Sequence, residues 1–226
     1  MTLTAGEVVV LDDILIDFSV EEILSTPPFP RWTSSVTSGT ELVEAVERLH
    51  EPVESALDNR GLYCLSRTAE SGIEPYNPPA GLVAGEYVLP GVLTIGEGLE
   101  QTEPTDGLLD GLVIDAMENV ALQLVRTEVL TGIRDAARDQ NLNTTQVYVP
   151  GVRADGWDME RRQFMFEALP TERIGAYLRG SGVTDPPKTF AFAMGLGADI
   201  QQSDFLLSCA NCGLLADCPY VGSVVA

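Results

Sequence analysis

Histidine and lysine are almost absent from this chain of 226 residues, in which His50 and Lys188 are the only examples of their kinds. A Ser-His-Asp triad could use only His50, and a metal site made of several histidines is excluded. His50 falls between Leu49 and Glu51 in a segment with helical periodicity, so we interpret it as a packing or surface residue. Because a nucleophile motif is also missing, the sequence argues against a hydrolase.

Long apolar segments are missing as well. No window approaches the roughly 20 consecutive apolar residues of a membrane-spanning helix. Residues 1–7 lack the basic region and apolar stretch of a secretory signal peptide. Apolar residues make up 45% of the chain, which is an ordinary value for a globular protein with one large domain or two small ones. We therefore expect a cytoplasmic protein.

Basic residues are few, and acidic residues dominate the charge. The chain has 34 Asp and Glu against 13 Lys and Arg, for a formal net charge of −21. A field of this sign repels nucleic acid and anionic lipid, so neither is expected as a partner. The acidic residues are spread along the whole chain, as in proteins of a high-salt cytoplasm, where counterions screen their repulsion. An ordinary acidic bacterial protein is the alternative interpretation.

The hydrophobic periodicity predicts a mixture of strands and helices. Strands are expected at 8–11, 87–95, 146–149 and 189–194, and helices at 41–57, 106–137, 158–168 and around 171–180. The longest helix could be capped by Thr105 or Asp106. Its apolar positions form one stripe made of Leu109, Leu112, Val113, Ala116, Val120 and Leu124. Because the strands and helices do not alternate regularly, the pattern favours an α+β fold over a doubly wound sheet.

Three of the four cysteines lie within ten residues. Cys209, Cys212 and Cys218 form a Cys-x2-Cys-x5-Cys pattern, whose first half can place two thiolates on one metal ion. Three thiolates complete neither a closed zinc site nor a four-cysteine iron–sulfur cluster, and Cys64 is the only cysteine left to be a fourth ligand. An iron–sulfur cluster, a zinc ion and three reduced thiols without metal all remain open.

Several short segments follow one another in a characteristic order in the second half of the chain. They are LTIGE at 93–97, DA at 115–116, VYVPGV at 147–152, a tryptophan and helix at 157–169, IGAYL at 174–178, PKT at 187–189, and the cysteine cluster that ends at Tyr220. In this order they resemble the activation domain of cobalamin-dependent methionine synthase. The cysteine cluster resembles the one found in small free-standing relatives of that domain.

The resemblance implies a fold and a task. The fold is an α+β domain built around an antiparallel sheet with packed helices. The task is to bind S-adenosylmethionine and to dock on a corrinoid-binding protein or methyltransferase, so that oxidised cobalt is reduced and remethylated. On this basis the chain divides into an unassigned N-terminal α+β region (1–87), an activation-domain-like region (88–207) and a cysteine-cluster tail (208–226).

The resemblance also suggests residues that could contact S-adenosylmethionine or the corrinoid. Pro150 and Gly151 form a turn that lets a ligand approach the backbone. Tyr148 and Trp157 could stack on an adenine ring; the alternative is that both are buried aromatics of the core. Further candidates are the acids Asp115 and Glu118, for an ammonium or ribose, and Lys188, for a carboxylate or a corrinoid amide or phosphate.

The end of the cysteine cluster, where the family has Tyr-Arg and this chain has Tyr220-Val221, departs from the family pattern, and so do two positions beside the Pro-Gly pair. The family has an arginine three residues before the Pro-Gly pair and a tyrosine just after it, where this chain has Val147 and Val152. Valine cannot make the bidentate contact of a guanidinium with a carboxylate. Arg153, one position further on, is a candidate substitute.

These features predict an accessory protein of corrinoid-dependent methyl transfer that assists reductive reactivation or remethylation of a partner-bound cobalamin. Whether it counts as an enzyme stays open; if so, it would be a methyltransferase-associated activator. One alternative is a small iron–sulfur electron-transfer protein. Another is a metal-stapled structural subunit of a methyltransferase complex.

Overall fold

The structure is a computed structural model that describes residues 1, 3–35, 39–97, 108–152, 155–180 and 182–203. Its strands are β1 (Val8–Leu11), β2 (Arg60–Cys64), β3 (Ser66–Arg67), β4 (Tyr87–Thr94), β5 (Asn143–Tyr148), β6 (Tyr177–Leu178), β7 (Thr184–Asp185) and β8 (Thr189–Gly197). Its α-helices are α1 (Val20–Ser25), α2 (Phe29–Ser35), α3 (Gly39–Ala56), α4 (Leu108–Asp139) and α5 (Gln163–Ala168). Short 3-10 helices occupy Thr68–Glu70, Glu74–Tyr76, Met159–Arg162 and Thr171–Ile174.

An antiparallel sheet forms the centre of the described part of the chain. Its strands run in the order β1-β2-β4-β8-β5, and β3 pairs with the remaining length of β4. The predicted α+β class with an antiparallel sheet is therefore confirmed. Strands from residues 1–87 and from residues 88–207 share this one sheet, because β2 pairs directly with β4.

The two faces of the sheet are covered by different helices, as the period-two alternation of side chains requires. Leu89 and Leu93 of β4 belong to the core formed with α3 and α4, which we call the first core. Val88 and Val92, which directly precede them in the sequence, belong to a second core that includes Phe164 of α5. The order of residues along each strand thus decides which core a side chain enters.

Helices α3 and α4 cover the first face. Four residues of α3 at helical spacing are buried there, namely Leu42, Val46, Leu49 and Val53. In α4 the predicted stripe is correct for Val113, Ala116 and Val120, which are buried. It is wrong for Leu109 and Leu112, which are exposed, whereas Asp110 and Val113 in the same turns face the core. The predicted caps, Thr105 and Asp106, lie outside the described residues.

Pro90 and Gly91 lie in the middle of the central strand β4. Proline has no amide hydrogen to donate, and the hydrogen-bond ladder along one edge of β4 is interrupted beside Pro90. Strand β2 pairs with β4 after the interruption and β3 pairs with β4 before it, both in the same register. Gly91 leaves room for the ring of Phe192, which a Cβ at that position would overlap. The strand predicted at 189–194 is longer than expected, because Gly195 and Gly197 continue it instead of ending it.

None of the helices among the described residues combines the length and the apolar character that crossing a membrane requires.

Candidate functional site

Three of the predicted site residues meet at one point on the α4 side of the sheet. The Lys188 Nζ lies 2.6 Å from the Asp115 Oδ1 and 3.6 Å from the Glu118 Oε2. It also donates a hydrogen bond of 3.1 Å to the side-chain oxygen of Asn119. Asp115, Glu118 and Asn119 are neighbours on one face of α4, whereas Lys188 directly precedes β8. The structure therefore joins Asp115, Glu118 and Lys188 into one polar cluster, which we call the Lys188 cluster.

Burial differs strongly within the Lys188 cluster. The Glu118 side chain is 8% exposed and that of Lys188 is 20% exposed, whereas that of Asp115 is 64% exposed. A lysine between two carboxylates is already compensated in charge, which weakens its attraction for a further anion. Asp115 is the member that faces solvent and is accessible to a ligand.

Tyr148, at the end of β5, faces the other side of the sheet. Its ring belongs to the second core, while the preceding residue, Val147, is fully buried in the first core. The structure therefore does not bring Tyr148 together with the Lys188 cluster. Burial raises the pKa of the Tyr148 hydroxyl, and the negative charge of Asp155 raises it further. The phenol is thus held protonated and remains a hydrogen-bond donor.

The turn at Pro150 and Gly151 is fixed by hydrogen bonds from inside the protein. The Gly151 amide donates to the Trp157 carbonyl over 2.8 Å, and the Val149 amide donates to the Asp155 carboxylate over 2.9 Å. Gly151 has a φ of +93°, which favours glycine, and its Cα lies against the side chain of Met159. The turn is therefore preformed, with the amide of Gly151 engaged internally.

The two valines that stand where the family has arginine and tyrosine differ in burial. Val147 is completely buried in the first core, on the α4 side of the sheet. Val152 is partly exposed. Arg153 lies outside the described residues, so its predicted role stays a prediction.

A cleft of about 460 Å³ runs beside β5, which is an edge strand of the sheet. We call it the β5 cleft. Its lining consists of Gly81, Ala84, Thr145, Gln146, Tyr148, Ile200, Gln201, Gln202 and Ser203. None of these nine residues carries a formal charge at pH 7, in a protein whose net charge is −21. The lining is instead rich in hydroxyl and amide groups.

Two walls of the β5 cleft are held by close backbone approaches. The segment that contains Gly81 and Leu82 crosses the sheet at Gly195, where a Cβ would overlap the Leu82 carbonyl oxygen. On the opposite side, the Ser203 amide donates to the Thr144 carbonyl over 2.9 Å, which fixes residues 200–203 along the edge of β5. The hydroxyl of Tyr148 occupies the space that a Cβ on residue 81 would need.

Comparison with known proteins was informative at the level of structure only. No family profile matches the sequence, and no curated protein matches it. A crystal structure of the MetH reactivation domain bound to AdoHcy matches with a TM-score of 0.54 at 11% sequence identity, over 89% of this chain and 82% of that chain. The fold is similar to that of the MetH reactivation domain.

Of the four predicted metal-binding cysteines, Cys64 alone is among the residues that the structure describes. Cys209, Cys212 and Cys218 lie outside the described residues. Cys64 ends β2 and is buried, with its sulfur 3.7 Å from the Ser66 hydroxyl. Among the residues that the structure does describe, no group of three His, Cys, Asp or Glu side chains could hold a metal ion. The metal site of the tail therefore stays a prediction.

The sequence analysis did not identify the β5 cleft. Gly81 follows two prolines and was recognisable only as part of a loop, while Gln201 and Gln202 belong to no pattern. Only Tyr148 was singled out, and for its ring instead of its hydroxyl. The signal that could have helped is the crowding of glycines at 81, 85, 195 and 197, since glycine often marks a close backbone approach.

Proposed function

We propose that this protein is an accessory protein of corrinoid-dependent methyl transfer, which assists reductive reactivation or remethylation of a cobalamin carried by a partner. The supporting observation is the similarity of fold to the MetH reactivation domain, which extends over most of both chains. In such a system the reactive metal belongs to the cofactor, and the protein contributes binding and orientation. The chain would be a free-standing form of this domain with a cysteine cluster.

S-adenosylmethionine is the proposed methyl donor, because the structural neighbour is bound to AdoHcy. The exposed carboxylate of Asp115 suits the ammonium or ribose of this ligand. The ligand carboxylate needs a partner other than the family's arginine, because this chain has Val147 at that position. Lys188 or Arg153 would fill that role, and Lys188 must first loosen its contacts with Asp115 and Glu118.

The decisive experiment measures reactivation directly. A corrinoid methyltransferase is inactivated by oxidation of its cobalt and supplied with a reductant and S-adenosylmethionine in molar potassium chloride. We expect this protein to increase the rate at which methylcobalamin reappears in the absorption spectrum. Lys188→Met should reduce that increase. Arg138→Met, which removes a cation from an exposed ion pair, should not. An unchanged rate with the unmodified protein would refute the proposal.

A second candidate is a small electron-transfer protein that keeps the fold as a scaffold. The observation that favours it is the burial of Val147, since the ligand anchor of the family is missing at that position. Calorimetry with S-adenosylmethionine in molar salt separates the two candidates. Binding in the micromolar range supports the first, and no detectable heat supports the second.

Co-purification of a methyltransferase in the absence of either activity would indicate the structural-subunit alternative.

A further inference from the structure

The β5 cleft presents an open hydrogen-bonding group from a buried residue. Tyr148 is only 9% exposed, and its hydroxyl lines the cleft. Within the described part of the chain that hydroxyl has no hydrogen-bond partner. The hydroxyl opens on the cleft, where it can donate a hydrogen bond to a ligand.

The described residues of the lining carry no formal charge, so they offer a ligand hydroxyl and amide groups in place of an ion pair. An uncharged polar ligand suits this part of the lining. The volume of the cleft, about 460 Å³, is in the lower part of the range of roughly 300–1,000 Å³ that is usual for small-molecule sites.

The amide groups of the lining narrow the class of ligand. The Gln202 amide is fixed by the Thr144 amide and hydroxyl, and the Gln146 amide donates to Asp155. Gln201 is exposed at the cleft and forms no hydrogen bond within the described part of the chain. A glutamine amide offers one acceptor and two donors, and it matches another primary amide in a two-point contact.

We propose that the β5 cleft binds a primary carboxamide, with the Tyr148 hydroxyl donating to its carbonyl oxygen and the Gln201 amide pairing with its edge. The periphery of a corrin ring carries several such amides on short arms. The cleft would take one arm while the ring stays outside. This inference rests on the proposed function for the source of the amide, and it gives the corrinoid a direct contact that does not involve the Lys188 cluster.

Two uncharged corrinoids test the proposal. Dicyanocobinamide has primary amides, whereas the heptamethyl ester of dicyanocobyrinic acid has ester groups in their place. Equilibrium dialysis, followed by absorbance of the corrin, measures binding of each to the whole chain in molar potassium chloride. We expect cobinamide to bind more tightly than the ester. Equal binding of the two, or no binding of cobinamide, would overturn the proposal.

Two variants test whether the contact with the carboxamide lies in the β5 cleft. Tyr148→Phe removes the donor, and we expect a loss of about 5–10-fold in cobinamide affinity, as is usual for one hydrogen bond. Gly81→Ala keeps the hydroxyl but displaces it, because the new Cβ overlaps it. Its effect on binding should be similar. Gly180→Ala, which meets nothing within 4 Å, is the matched control. Thermal unfolding shows whether each variant is folded. Unchanged affinity in a folded Tyr148→Phe variant refutes the contact.

The outcomes separate this inference from the proposed function. If the protein accelerates reactivation but cobinamide binding does not depend on Tyr148, the cleft proposal is wrong and the proposed function stands. If cobinamide binds through Tyr148 but reactivation is not accelerated, the proposed function is wrong and the cleft is a corrinoid site with another purpose.

Discussion

Arg48 donates two hydrogen bonds to the carboxylate of Asp110, over 2.9 and 2.7 Å, and thereby ties α3 to α4. Asp110 is buried, whereas half of the Arg48 side chain is exposed. The hydrogen bonds from Arg48 hold the pKa of Asp110 below its usual range, although burial acts in the opposite direction. In the unfolded chain the pKa of aspartate is about 3.9. This pair therefore stabilises the fold above that pH, and the contribution is lost as the pH falls through the lower folded-state pKa.

Replacement of Asp110 should therefore have an effect that depends on pH. We expect Asp110→Asn to lower the urea midpoint of unfolding at pH 7, because Asn cannot form a charged pair with Arg48. The difference from the unmodified protein should shrink as the pH falls below about 4, because the aspartate then takes up a proton and loses the same interaction. Urea unfolding across this range measures it. Asp135→Asn, in an exposed pair with Arg138, serves as control. A constant difference at all pH values would contradict the assignment.

The sequence predicts features that depend on neighbouring residues, and it does not predict contacts between residues that are far apart in the chain. Strand β4 and helix α4 were predictable because their hydrophobic periodicity is local. The pair of Arg48 and Asp110 spans 62 positions, and no local pattern reveals such a contact. Resemblance to a family did place Lys188 and Asp115 among the candidate site residues, although 73 positions separate them. It could not show that they bind each other.

The separation of Tyr148 from that cluster has a different physical origin. Neighbouring residues of a strand point to opposite faces, so Val147 and Tyr148 enter different cores. The alternation itself was visible in the sequence. Which helix covers which face is decided by the tertiary arrangement of α4 and α5, and this information is spread over the whole chain.

Removal of the lysine charge should destabilise the protein. Lys188→Met takes the cation away from Glu118, whose side chain is 8% exposed. Loss of a partner from a buried charged group costs about 1–3 kcal/mol in unfolding free energy. We expect urea unfolding to show a loss of this order. The double variant Lys188→Met, Glu118→Gln should recover part of it, because a neutral side chain loses less than a carboxylate does when the cation is removed. No recovery would mean that Lys188 acts through its packing.

Two glycines should respond to alanine in opposite directions. Gly195→Ala places a Cβ onto the Leu82 carbonyl oxygen, and the strain of such overpacking is typically about 1–3 kcal/mol. Gly111 lies in α4 and has open space where a Cβ would go, so Gly111→Ala should stabilise the protein by about 0.5–1 kcal/mol. Thermal and urea unfolding of both variants provide the measurement. A stable Gly195→Ala protein would show that the segment over the sheet can move away.

The cysteine tail should bind iron if it serves as the entry point for an electron. We expect protein purified without oxygen in concentrated potassium chloride to show broad visible absorbance and stoichiometric iron, because reactivation of an oxidised corrinoid requires reduction. Cys212→Ser should lose both. The same loss is expected for Cys64→Ser, since Cys64 is the only cysteine left to complete four thiolates. Retention of iron in that variant would assign the fourth position to another ligand. Colourless protein with zinc would make the cluster structural, and reduction would then depend on an external electron donor alone.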